Sequence, residues 1–110
     1  MNLLHLVLGP TRIRRELTTL VREIGDACRG EVWNRVRGMV FEMSLLEARG
    51  YIRARAMAPV RARAAAILDG RRHLSAHTQQ HVTAIATERV VQLVLTDLAS
   101  GSTVARRAAA

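Results

Sequence analysis

Lysine is absent from this chain of 110 residues, and cysteine, proline and aromatic residues are scarce. Without lysine there is no Schiff-base nucleophile, and no residue to complete a phosphate-binding G-x-x-x-x-G-K-[ST] loop. A lone cysteine, Cys28, excludes an internal disulfide, a Cys-rich zinc site and a Cys-ligated iron–sulfur cluster. It reads as a small buried helix residue in a reducing compartment. Aromatic residues make up 3 % of the chain, namely Trp33, Phe41 and Tyr51, so the core must be built from Leu, Val, Ile, Met and Ala. No stretch approaches the ~18 apolar residues of a membrane span. The opening Met-Asn-Leu-Leu-His-Leu-Val-Leu-Gly-Pro has no basic leader and no small-residue cleavage site after it. A cytoplasmic protein is therefore expected.

What is present points to helices. The apolar fraction of 49 % is enough for a packed core, and the length fits one domain. Over residues 11–29, Ile13, Leu17, Leu20, Ile24 and Ala27 recur at helical spacing, with Val21 and Cys28 beside them. Thr11 can cap this segment and Gly30 can end it. Residues 31–49 predict a second helix, with Trp33, Val36, Val40, Met43 and Leu46 on one stripe and Phe41 and Leu45 widening it. Residues 51–69 are rich in the helix formers Ala and Arg. Proline disfavours a helix interior and pushes the residue before it away from helical angles, so a kink or a new start is expected at Pro59. Asp69-Gly70 marks a turn. Residues 75–99 predict a last helix capped by Ser75, although Val90–Leu95 is β-prone by composition. The expected fold is all-α: an antiparallel bundle of three to five helices with a Pro-kinked third segment. Residues 1–100 form the domain and 101–110 a flexible tail.

The charge is one-sided. Seventeen arginines face nine acids, a formal net charge of +8. Much of the excess lies in residues 51–72, where Arg53, Arg55, Arg61, Arg63, Arg71 and Arg72 oppose only Asp69. Guanidinium forks suit phosphate, so this segment is the candidate surface for nucleic acid. An acidic protein or a membrane surface would meet the same chemistry, and a solvated face needs no partner. On an unbroken helix, Arg55, Arg61 and Arg63 lie at about 200°, 80° and 280° from Arg53, which scatters them around the axis unless Pro59 regroups them.

His77 and His81 are four residues apart, the spacing of helical metal ligands, with Glu88 on the same side. The apolar residues of that helix lie opposite, so the pair reads as a solvent-facing stripe, a weak metal candidate. Beyond Val90 the helix turns apolar on both faces, as Val91, Val94, Leu95 and Leu98 join Val90 and Leu93. A helix apolar all round needs cover on two sides, and a second subunit is the expected cover; the alternative is the run Leu3, Leu4, Leu6, Val7 and Leu8 folding back. None of the six Glu residues has a His three positions later, so the Glu-x-x-His pairs of di-iron bundles are missing. No enzyme activity and no cofactor are expected. The function read from the sequence is a small basic interaction module, self-associating through its last helix, with nucleic-acid binding through residues 53–72 as the alternative.

Overall fold

The computed structural model describes residues 11–109, with side chains through Gly101. The described residues form three helices: α1 over Thr11–Val40, α2 over Leu45–Leu68 and α3 over Ala76–Ala109. No strand occurs among the described residues, so the β-prone Val90–Leu95 is helical.

Each helix buries a row of residues four apart. In α1 the row is Leu20, Ile24, Cys28, Val32, Val36 and Val40. In α2 it is Ala48, Ile52, Ala56, Val60, Ala64 and Leu68. In α3 it is Val82, Ala86, Val90 and Val94. Rows four apart form the ridge whose interdigitation gives the commonest class of helix packing in globular proteins. A four-residue step advances by about 400°, so the buried line slides around each helix by roughly 40° per step. That drift lets α1 face α3 along one edge and α2 along another. It also corrects the expected core position Ala27, which is exposed while Cys28 is buried.

Two expected boundaries move. Gly30 does not end a helix: α1 runs through it, because the buried row continues from Cys28 to Val32 and Gly30 does not adopt positive φ. The chain breaks instead at residues 41–44, inside the segment expected as the second helix. Here Met43 N–H donates to the Val40 carbonyl at 3.1 Å. Ser44 then starts α2 through a capping box: its Oγ accepts from Glu47 N–H, and the Glu47 carboxylate accepts from Ser44 N–H. Pro59 neither ends α2 nor begins a new helix, and Ala58 before it is helical. The proline ring is buried, and its carbonyl accepts from the Cys28 thiol at 3.6 Å.

The turn at Asp69-Gly70 is present, with Gly70 at φ 80°, the left-handed region that favours glycine. Ser75 caps α3 as expected, its Oγ accepting from Thr78 N–H at 3.1 Å. Cross-helix pairs give the topology. Arg29 meets Asp97 and Asp26 meets Arg89, so α1 and α3 run parallel. The turn at 41–44 folds α2 back along α1, where Cys28 meets Pro59, and the turn after Leu68 returns α3 along α2, so α2 runs antiparallel to both. The expected 101–110 tail falls largely on side chains outside the described residues, as does the run Leu3 to Leu8; the backbone of α3 extends to Ala109.

Candidate functional site

The up-down-up topology gives the molecule two unlike ends. One gathers the C-terminus of α1, the start of α2 and α3 from Gly101 onward. Here Met39, Phe41, Leu45 and Leu46 are 56 %, 52 %, 67 % and 82 % exposed. Trp33 packs edge-on against Phe41, with ring centroids 6.0 Å apart and planes at 81°. Gly101 of α3 stands against this pair: a Cβ there would be in ordinary contact, 3.4 Å from the Phe41 ring. The apolar spacing of residues 31–49 puts Phe41, Leu45 and Leu46 on a buried stripe. They are exposed because α1 ends at Val40 and the turn at 41–44 carries them off it.

The other end gathers the start of α1, the turn after α2 and the start of α3. Glu16 is its hub, accepting from Arg71 Nη1 at 3.2 Å and lying 2.8 Å from His73 Nε2. Arg12, Arg14 and Arg15 precede it within the first turns of α1, and Arg72 adjoins Arg71 in the turn. Five guanidiniums thus share this pole with two carboxylates, Glu16 and Asp69. Arg12, Arg15 and Arg72 are exposed and make no ion pair with a described residue. Arg14 reaches only the Thr11 hydroxyl, at 3.5 Å, and its Nε is buried without a partner among the described residues. The first turn of α1 holds no acid, so its arginines sit against the positive end of the helix dipole.

The six arginines expected to form one surface are divided. Arg53 is bound by Glu88 through two hydrogen bonds, at 2.6 and 2.8 Å, and Arg71 by Glu16. Arg55 lies over the Tyr51 ring, 5.0 Å from its centroid. Arg61 lines a groove of about 710 Å³ between α2 and α3, beside Met57, Gln80 and Ala84. Arg63 is exposed, near enough to Cys28 for its charge to act on the thiol. α2 continues through Pro59, and of the six only Arg71 and Arg72 join the basic pole.

Val91 and Val94 are fully buried within the monomer, and Leu95 and Leu98 pack half-buried against the same core. Cover within one chain is complete at Val91 and Val94, while Leu95 and Leu98 keep part of their surface open. His77 is exposed and His81 half-buried, while Glu88 is committed to Arg53. No cluster of three or more metal-ligating side chains occurs among the described residues. Two carboxylates are held below their usual range: Asp97 by its hydrogen bond from Arg29, and Glu88 by that from Arg53. Burial pushes the Cys28 thiol up, with the nearby Arg63 charge opposing it.

Among the described residues no helix is long and apolar enough to cross a membrane. Comparison with known proteins finds no family model, no curated protein and no solved structure that matches this chain.

Proposed function

We propose that this chain is a small non-enzymatic assembly module that pairs with a second copy of itself through the tip around residues 39–46. The carrying observation is the exposure of Leu45 and Leu46, at 67 % and 82 %, beside the half-exposed Met39 and Phe41. Several large apolar side chains grouped on an otherwise charged surface mark an interaction site.

Two further facts favour a second copy. Residues 31–50 balance Arg35, Arg37 and Arg49 against Glu31, Glu42 and Glu47 in a molecule of net charge +8. That segment adds no net charge to the tip, and Arg37 and Glu42, unpaired among the described residues, are open to the other copy. Nor can residues 1–10 supply the cover: fully extended they span at most about 36 Å, whereas the helix from Thr11 to Val40 is about 45 Å long. The nucleic-acid reading of residues 53–72 has no comparable support, since Arg53 and Arg71 are ion-paired and Arg55 is stacked.

The test is the mass of the full chain by light scattering up to the order of 100 µM. The expected result is a dimer that Leu45→Glu with Leu46→Glu converts to a monomer of unchanged helical circular dichroism. A monomeric wild type, or a dimer indifferent to this pair of substitutions, overturns the reading.

A further inference from the structure

We infer that the groove between α2 and α3 binds a small organic acid, a single carboxylate on an elongated apolar body, with the carboxylate held by Arg61 and Gln80. This inference is independent of the tip. The groove has a register. The two helices are antiparallel and Arg53 is hydrogen-bonded to Glu88. Steps of four residues then set Met57 against Ala84, Arg61 against Gln80 and Ala65 against Ala76. All of these side chains line one groove of about 710 Å³, within the size range of small-molecule sites.

The chemistry of the walls selects the ligand. The Thr83 and Thr87 hydroxyls donate to the Gln79 and Thr83 carbonyls, each at 2.9 Å, and the Gln79 amide donates to the Leu74 carbonyl at 3.0 Å. Arg53 and Glu88 satisfy each other across the groove, at 2.6 and 2.8 Å. Of the polar side chains lining the groove, Arg61 and Gln80 alone have no partner among the described residues. A guanidinium can donate two parallel hydrogen bonds to one carboxylate, and the Gln80 amide stands opposite to donate another. A phosphate ester would bring about two negative charges, which one guanidinium does not balance. Arg61 stands about 12 Å along α2 from Arg53. Between them the walls are Met57, itself 40 % exposed, and Ala84, so an apolar body has surface to cover there. The Arg53–Glu88 bridge ends that stretch. It is neutral, so it attracts no second anion, and it would obstruct a partner helix laid along the seam.

The experiment is titration of the full chain with octanoate, decanoate, dodecanoate and tetradecanoate, each kept free of micelles, followed by amide shifts in nuclear magnetic resonance. Octanol and octyl phosphate are the comparisons. The expected result is one-site binding with the largest shifts at Met57, Arg61, Gln80 and Ala84. Decanoate should bind ~4-fold tighter than octanoate, half the gain from fully burying two methylenes, because the groove is open on one side. Tetradecanoate should add little to dodecanoate, since the chain has then outgrown the span to the bridge. Arg61→Gln should weaken octanoate by ~5-fold and leave octanol unchanged. Ala84→Gln fills the groove opposite Met57 and should weaken both by ~8-fold. Both positions are exposed on helices and Gln is a good helix former, so the helical signal should not change. Arg63→Gln, which removes a charge outside the groove, and Leu45→Glu with Leu46→Glu at the tip should leave binding as it is. Absence of shifts along the groove, or shifts at the tip alone, overturns the inference. So does equal loss in Arg61→Gln and Arg63→Gln, which would reduce the effect to net charge. Octyl phosphate binding more tightly than octanoate, or affinity that climbs without limit along the chain series, overturns it too.

Discussion

Gly25 and Gly30 lie five residues apart in one helix, and their surroundings give them opposite roles. Gly25 is buried under the stem of Arg89: a Cβ there would stand 2.8 Å from the Arg89 Cδ and 3.0 Å from its Cγ. The contact holds the arginine where its Nη2 meets Asp26 at 3.1 Å. At Gly30, and at Gly50 in α2, a Cβ would meet no atom within 4 Å, so these glycines only weaken the helix. Gly30→Ala and Gly50→Ala should each stabilise the fold by ~0.5–1 kcal/mol. Gly25→Ala gains the same propensity but displaces Arg89, and should come out destabilising. Urea midpoints with unchanged slope check all three; a stabilising Gly25→Ala would show that Arg89 has nothing to lose there. The sequence alone cannot separate these glycines, because the difference lies in α3, far along the chain. Cys28 was legible: its place on the apolar stripe of residues 11–29 already marked it as buried.

At the scale of the element, what the sequence showed and what it hid follow the local signals. The stripe from Leu17 to Ile24, the turn at Asp69-Gly70 and the Ser75 cap were legible, each set within a few residues. The break at 41–44 was obscured because Phe41, Leu45 and Leu46 extend the apolar pattern of Val36 and Val40. Periodicity does not reveal which apolar residues end up outside. The Ser44-Leu45-Leu46-Glu47 capping box was the local signal for that start. Removing it by Ser44→Ala should cost ~1 kcal/mol, read as a fall in thermal midpoint. The docking of α3 on its neighbours depends on charge as well as packing. Asp97 and Glu88 are held below the usual carboxylate range by Arg29 and Arg53. A depressed folded-state pKa contributes stability that is complete above the unfolded value, near pH 4, and lost as pH falls through the folded value. Stability should therefore drop below about pH 4, and Asp97→Asn with Glu88→Gln should flatten that limb. Both pairs are partly exposed, so the loss at pH 7 should be no more than ~0.2–1 kcal/mol for each. A double variant with an unchanged acid limb would place the pH dependence on other carboxylates.

The whole molecule has a polarity that no single segment carries. Residues 53–72 stand out in the sequence because charge there is dense along the chain, but a helix turns its side chains through all directions. A basic end forms instead where the starts of α1 and α3 meet the turn after α2, which takes tertiary structure to assemble. The apolar tip lies at the far end of α1, about 45 Å away. Two copies joined at their tips would hold their basic poles at the outer ends of an elongated dimer, so small-angle scattering of the full chain should give a maximum dimension well above the 53 Å of one copy. Leu45→Glu with Leu46→Glu should return it to that of one copy. A dimer no longer than one copy would mean that the chains pair side by side instead of through residues 39–46.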